Sequence, residues 1–157
     1  MATTETAKPK SNRVHLVLQG KGGVGKSLIS AILGQYFEIR KVTPHCFDTD
    51  PVNATFAPYQ ALAAEHINVL RRGAIYDSRF DELFEKNCQI EGVCIVDTGA
   101  TTFVPLWNYI FENDILSLLA GRSHRVFVHS IIAGRTGRDR HSEWLRAARG
   151  EQPPRTM

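Results

Sequence analysis

A glycine-rich segment close to the start of the chain combines small residues with two lysines. Residues 19–30 have the sequence QGKGGVGKSLIS, and residues 20–27 fit the pattern G-x-x-x-x-G-K-[ST]. Glycines lack the Cβ atoms that would keep backbone N–H groups from wrapping around phosphate oxygens. The segment therefore predicts a phosphate-binding loop, whose residues are Gly20, Lys21, Gly22, Gly23, Val24, Gly25, Lys26 and Ser27.

Two side chains at the end of this loop are suited to a bound nucleoside triphosphate. We expect Lys26 to reach the β- and γ-phosphates and the Ser27 hydroxyl to ligate Mg²⁺. The apolar positions that follow recur every three or four residues, which predicts a helix over 27–40 whose N-terminus adds partial positive charge. The alternative is a glycine-rich turn that binds no ligand. The second lysine, Lys21, is more than an ordinary phosphate loop requires.

Acidic residues follow two other apolar runs. Asp97 ends the run VCIVD and is the candidate carboxylate for holding Mg²⁺ through water, although it could instead cap the following turn. Asp48 and Asp50 follow the second predicted strand, in DTDP. Hydrolysis needs a group that orients the attacking water, and spacing alone does not assign that task to one of these two acids.

Strand-like and helix-like segments alternate along the chain. The sequence predicts strands over 14–18, 42–48, 67–70, 93–97 and 125–132, and helices over 27–40, 58–65, 77–87, 105–111 and 114–121. Pro44 confines the regular part of the second strand to its end. The alternation predicts an α/β fold with a mostly parallel sheet flanked by helices, whose C-terminal strand ends face the ligand.

The charge is distributed unevenly along the 157 residues. Residues 1–120 carry 11 Lys and Arg against 13 Asp and Glu, whereas residues 121–157 carry 8 Arg against 3 acids. The basic character thus belongs to the end of the chain, and the core does not indicate DNA binding. We expect a disordered leader over 1–12, a nucleotide-binding domain over 13–133 and a disordered arginine-rich tail over 134–157.

Composition also bears on the compartment. No apolar run approaches the ~18 residues that span a bilayer, and the polar start lacks the apolar centre of a secretory signal. We therefore expect a cytoplasmic protein without a transmembrane segment. The three cysteines, Cys46, Cys88 and Cys94, lack C-x-x-C spacing. They are predicted to be reduced thiols of the core.

The loop resembles that of the deviant Walker A ATPases of the ParA/MinD type. Their pattern, K-G-G-x-G-K-[ST], matches residues 21–27 at every position. The resemblance implies a P-loop ATPase that binds ATP and Mg²⁺ and forms a nucleotide-dependent homodimer. In such a dimer Lys21 would reach the phosphates of the other subunit and act in catalysis with Lys26 and Asp50. Asp50 would position the attacking water, and the implied metal site comprises Ser27, Asp48 and Asp97.

Two further segments, FDTDPVNATFA and VDTGATTFVPL, resemble a branch of this superfamily that acts in plasmid conjugal transfer. This implies a role in conjugation, with a protein of the conjugation apparatus as a partner. The resemblance ends at about residue 133, so we expect a truncated or frame-shifted C-terminus that leaves the ATPase domain incomplete. A native basic tail is the alternative. The alternatives are a nucleotide-binding module without turnover, a ParA-like DNA-partitioning ATPase and a small-molecule kinase.

Overall fold

The elements that position the glycine-rich loop alternate along the chain. The computed structural model describes residues 12–132, so the predicted tail and all of the predicted leader except its last residue lie outside the described residues. Residues 12–132 form seven strands and four α-helices, in the order β1 (Asn12–Val17), α1 (Lys26–Ile39), β2 (His45–Asp48), β3 (Glu65–His66), β4 (Leu70–Arg71), β5 (Ala74–Ile75), α2 (Ser78–Gln89), β6 (Val93–Asp97), α3 (Phe103–Glu112), α4 (Ile115–Gly121) and β7 (His124–His129).

Five of these strands form one sheet. Their order is β3-β2-β6-β1-β7, and each neighbouring pair is parallel. All five residues of β6 are buried, as are the last four of β1. Central strands of a parallel sheet are apolar almost throughout because helices cover both faces. The predicted α/β fold, with a mostly parallel sheet flanked by helices, is confirmed.

The two faces of the sheet pack into separate hydrophobic clusters. Cys94 and Val96 share a cluster with buried side chains of α2, α3 and α4. Val93 and Ile95, which alternate with them along β6, share the other cluster with Phe37 of α1. Because successive strand residues point to opposite faces, one strand anchors helices on both sides. This packing fixes α1 against the sheet, and with it the exit of the glycine-rich loop.

The cysteines belong to the interior. Cys46 and Cys94 are buried, Cys88 is half-buried, and all three are free thiols. Burial raises the pKa of both Cys46 and Cys94 to about 12, so these two remain protonated at neutral pH. The prediction of reduced core thiols is confirmed for this pair, and Cys88 packs at the margin of the core.

The predicted helix over 58–65 is wrong. Only Gln60–Leu62 forms a single 3-10 turn, which ends where Ala63 adopts a φ of +44°. The turn is held by a close approach to α1. A Cβ added to Gly34 would lie 2.6 Å from Leu62 Cδ1, so glycine at this position admits the leucine side chain. A tertiary contact, rather than local helix propensity, sets the conformation here.

The predicted strand over 67–70 is also wrong, although its apolar pattern has a structural cause. Ile67 and Val69 are both buried, as alternate residues of a strand would be. Between them, however, the side chain of Asn68 accepts a hydrogen bond from the N–H of Leu70. Such a local bond turns the backbone. Strand pairing is therefore limited to the short strands on either side of this segment. Strand β3 pairs with β2, and β4 pairs with β5.

The remaining elements lie within a few residues of their predicted bounds. Helix α3 begins two residues before Pro105, a placement that proline tolerates because the first N–H groups of a helix have no intrahelical acceptor. Strand β7 ends at His129 rather than at residue 132. Within residues 12–132, none of the helices is long and apolar enough to cross a membrane.

Candidate functional site

A cavity of about 540 Å³ opens at the carboxyl edge of the sheet. The loops that follow β1, β2 and β6 meet there, because parallel neighbours end at the same edge. Residues of all three loops and of the start of α1 line the cavity: Gly22, Gly23, Gly25, Lys26, Ser27, Leu28, Asp50, Val52, Asn53, Thr55, Ala100 and Thr101. The predicted loop and one of the predicted acids thus share one concave site.

Glycines in the loop after β1 meet two different requirements. Gly23 and Gly25 have φ values of +69° and +94°, in the left-handed region that favours glycine. Gly25 immediately precedes α1, so its conformation starts the helix. Gly22 has no such constraint, and a Cβ added there would meet no protein atom within 4 Å. Contacts within the described chain therefore do not account for glycine at position 22.

Three of the predicted loop residues do not line the cavity. Gly20 lies against α3, where an added Cβ would come within 3.0 Å of the Phe103 ring. The Lys21 side chain is exposed, and the half-buried Val24 is likewise outside the cavity wall. Lys21 contributes through its backbone carbonyl, which accepts a hydrogen bond from Lys26. These three positions belong to the loop without lining the cavity. The other five predicted loop residues form part of the cavity wall.

The ammonium group of Lys26 forms a hydrogen bond within its own glycine-rich loop. Its Nζ donates to the carbonyl oxygen of Lys21 at 3.0 Å, and the residue is only 7% exposed. Burial lowers the pKa of Lys26, while the nearby charges of Asp97 and Asp50 act in the opposite direction. The site therefore holds a poorly solvated cation at the wall of a cavity, a position in which an anionic ligand would replace lost hydration.

Two serines of α1 bind the carboxylate at the end of β6. Ser27 Oγ donates to Asp97 Oδ2 at 2.6 Å, and Ser30 Oγ donates to Asp97 Oδ1 at 2.8 Å. Asp97 is completely buried. Burial raises its pKa to about 6, against the lowering effect of the two hydroxyls and Lys26. At neutral pH the group is thus a carboxylate that is held in place by its neighbours.

Asp48 is also completely buried. Its Oδ1 accepts the N–H of Asp50 at 2.9 Å, and its Oδ2 accepts the N–H groups of Phe56 and Ala57, also at 2.9 Å. Both oxygens are therefore engaged with the backbone of the loop after β2. Asp48 does not line the cavity, and its role as a metal ligand stays a prediction.

Asp50, by contrast, lines the cavity. Its Oδ1 accepts the N–H groups of Val52 and Asn53, at 2.9 and 3.0 Å, which leaves Oδ2 without a protein donor among the described contacts. The loop after β6 comes very close: a Cβ on Gly99 would lie 2.8 Å from both Cγ and Oδ1 of Asp50. Glycine at 99 is required for the two loops to meet.

The donor set fits a hard divalent cation that shares its coordination with phosphate. Ser27 and Asp97 supply oxygen atoms, which Mg²⁺ prefers, and such sites need only one or two carboxylates beside phosphates and water. Among residues 12–132 no group of three or more His, Cys, Asp or Glu is arranged to hold a metal by itself. Ser27 lines the cavity, whereas Asp97 does not and bonds to the Ser27 hydroxyl. The pair suits a magnesium ion that takes its other ligands from phosphate and water.

Two hydroxyl groups of the site, those of Ser30 and Thr55, were not predicted from the sequence. Ser30 follows Ser27 by three residues on a predicted helix, so the shared helix face was a usable signal. Thr55 Oγ1 lies 2.6 Å from Ser27 Oγ. Nothing in the spacing of Thr55 indicated that contact, since the loop after β2 has no regular structure that would fix its path.

Comparison with known proteins identifies relatives for most of the chain. No protein-family model matches the sequence. Two curated proteins from Escherichia coli, each named Protein TraL, match over 122 residues with 44% and 43% identity. The matches cover 78% of this chain and 51% of each relative, so the chain spans about half the length of the curated relatives it matches. Over those 122 residues, the chain is homologous to Protein TraL of Escherichia coli.

Proposed function

We propose that the chain is a P-loop protein of the ParA/MinD type that binds Mg-ATP in the cavity, hydrolyses it and acts in plasmid conjugative transfer. One observation carries the proposal: Lys26, Ser27 and Asp97, predicted to act on one triphosphate, converge at the carboxyl edge of the sheet. The homology to TraL supports the role in conjugation. A protein of the conjugation apparatus is the partner in this proposal.

The shape of the cavity supports a nucleotide as its ligand. Its volume, about 540 Å³, is within the range of ~300–1,000 Å³ typical of small-molecule sites. Gly22 lines it without any internal requirement for glycine, as expected if the ligand itself occupies the space beside the backbone. The first turn of α1 adds N–H groups and partial positive charge at the same wall.

Each charged side chain has a task in this proposal. Lys26 would release the Lys21 carbonyl or share its protons with phosphate oxygens, so the buried cation gains an anionic partner. Ser27 and Asp97 would hold magnesium, which when bound neutralises charge on the phosphates. The Asp50 carboxylate, anchored by two N–H groups at the cavity wall, would orient the attacking water.

Lys21 is the residue that requires a second copy of the chain. Its side chain is exposed and lies outside the cavity of its own subunit. The resemblance to the ParA/MinD type assigns this lysine to the phosphates of a dimer partner. The exposed side chain of Lys21 is compatible with that role, because it can extend from the loop toward a second subunit.

Comparison of two lysine variants tests the proposal. We expect the wild-type chain to release phosphate from Mg-ATP and to dimerise with it, whereas K21A should bind ATP but lose both hydrolysis and dimerisation. Phosphate release and light scattering after size-exclusion chromatography measure these two properties. K41A, which alters another exposed lysine at the end of α1, is the matched control and should behave as the wild type.

The outcomes separate the proposal from a monomeric mechanism and from a nucleotide-binding module without turnover. If K21A hydrolyses ATP normally as a monomer, the dimeric mechanism is wrong. If the wild-type chain binds ATP but releases no phosphate, the chain is a nucleotide-binding module without turnover, and the hydrolytic part of the proposal fails.

A further inference from the structure

A threonine in the loop after β2 contacts the candidate magnesium-binding hydroxyl. Thr55 Oγ1 lies 2.6 Å from Ser27 Oγ, across 28 positions of sequence, and both residues line the cavity. The loop is anchored just beyond Thr55, where the buried Asp48 carboxylate accepts the N–H groups of Phe56 and Ala57. The threonine is therefore held at the cavity by a fixed point of the fold.

A second anchor precedes the threonine. The carboxylate of Asp50 accepts the N–H groups of Val52 and Asn53, so the backbone is also turned before it reaches Thr55. Between the two anchors, the contact with Ser27 is the side-chain hydrogen bond that joins this loop to α1 among the described contacts. Whatever binds at Ser27 thus acts on the loop through Thr55.

Proton counting gives this contact a direction. Ser27 has one hydroxyl proton and donates it to Asp97 Oδ2 at 2.6 Å. Thr55 must therefore donate its own proton to Ser27 Oγ. If Ser27 Oγ gives a lone pair to a divalent cation, that threonine proton would point toward positive charge, which is repulsive. The Thr55 hydroxyl would then have to turn, offering its oxygen to the cation or its proton to a phosphate oxygen.

We propose that Thr55 is a positioning residue that couples magnesium at Ser27 to the conformation of residues 50–57. The inference rests on the proposed function, since it assumes that a magnesium nucleotide binds in the cavity. In the free chain Thr55 bonds Ser27, and with the magnesium nucleotide it bonds the ligand instead. The loop after β2 is then fixed over the cavity by the ligand, so its order depends on magnesium and not on the nucleotide alone.

Hydrogen exchange on the wild-type chain measures this coupling without relying on turnover. The probe is the non-hydrolysable analogue AMP-PNP, with either Mg²⁺ or EDTA. We expect amide exchange in residues 50–57 to slow with Mg²⁺ and AMP-PNP beyond the effect of AMP-PNP in EDTA. Exchange in that loop that is equal under both conditions, while AMP-PNP is bound in both, would overturn the inference.

Variants at position 55 provide the second measurement. The quantity is the ratio of AMP-PNP dissociation constants without and with Mg²⁺. Loss of an outer partner of a metal site costs roughly 10- to 100-fold in metal affinity, so T55V, which keeps the side-chain shape, should reduce the ratio about tenfold. T55S keeps the hydroxyl and should restore most of it. T43V, at an exposed threonine before β2, is the matched control and should leave the ratio unchanged.

Different results would contradict nucleotide binding and the role of Thr55. If the wild-type chain binds no AMP-PNP with or without Mg²⁺, the proposed function is wrong and this inference is overturned with it. If the wild type binds and T55V has the wild-type ratio, the inference alone is wrong. If thermal unfolding shows that T55V does not fold, T55S and the exchange experiment on the wild type test the inference instead. A T55S ratio of dissociation constants reduced about tenfold, or equal amide exchange in residues 50–57 with Mg²⁺ and with EDTA, would contradict the role of the hydroxyl.

Discussion

Replacing Asp48 with asparagine tests whether this carboxylate holds the loop after β2 independently of any metal. Asp48 is completely buried and accepts three backbone N–H groups, from Asp50, Phe56 and Ala57. Asparagine is nearly the same size but has one oxygen instead of two. Its amide group would therefore face at least one N–H donor that the carboxylate accepts in the wild type.

The magnitude follows from counting these bonds. A hydrogen bond to a charged group contributes about 1.5–3 kcal/mol and a neutral one about 1 kcal/mol. D48N loses one bond and weakens the other two. Removing a buried charge beside Asp97, its neighbour in the sheet register, offsets part of that loss. We expect a net decrease of about 2–4 kcal/mol in the free energy of unfolding, a large fraction of the ~5–15 kcal/mol typical of a domain.

Urea unfolding in the presence of EDTA measures the effect, because EDTA removes divalent metal from both proteins. D114N is the matched control: Asp114 is exposed, and its φ of +47° is one that asparagine tolerates. The control should change the free energy of unfolding by no more than about 0.5 kcal/mol. A decrease below about 1 kcal/mol for D48N in EDTA would refute the structural role given to this carboxylate.

Three further substitutions test the stability of the site and its binding of ATP. Burial raises the pKa of Asp97 from 3.8 to about 6, so the folded chain binds this proton more tightly than the unfolded chain and loses stability as the pH rises from about 4 to about 6. Relative to D97N, the wild type should therefore lose about 1 kcal/mol of unfolding free energy between pH 5 and 7.5, and equal pH profiles in urea unfolding would contradict this. For glycines, G99A should cost about 1–3 kcal/mol in the same assay because its Cβ would clash with Asp50. G22A, whose Cβ meets no protein atom, should change stability by less than about 1 kcal/mol yet weaken ATP binding; the reverse pattern would contradict the site.

The parts of the fold predicted from sequence are those with strong periodicity. β6 has its predicted bounds because VCIVD is apolar and followed by a glycine-containing turn, and α1 differs from its prediction by one residue at each end. The glycine spacing likewise located the loop at the cavity. In each case one local pattern and the buried parallel sheet favour the same structure, so tertiary packing had nothing to override.

Residues 58–75 were predicted poorly because their structure depends on distant contacts and short turns. Leu62 packs against α1 at Gly34, a contact that no local pattern encodes. The hairpin of β4 and β5 turns at Arg72 and Gly73, both with positive φ. Arginine rarely occupies such a position, so the two-residue turn had only its glycine as a signal.

The candidate site shows the same division. Its loop and the acid at the end of β6 follow from motif and strand ends, whereas the hydroxyl network does not. Thr55 reaches Ser27 because Asp48 and Asp50 both accept backbone N–H groups of the irregular loop that carries it. Sequence spacing also left Asp48 and Asp50 equivalent. In the structure Asp48 is completely buried and does not line the cavity, whereas Asp50 does.

Lys26 and its loop are proposed to bind the phosphates of Mg-ATP. Titration calorimetry of ATP into the chain in the presence of Mg²⁺, for wild type, K26A and K41A, tests this claim most directly. We expect saturable binding by the wild type and K41A, and at least a roughly tenfold loss in K26A, because a charge-assisted bond to phosphate is removed. Absence of ATP binding by the folded wild-type chain, or equal affinity in K26A, would contradict the claim.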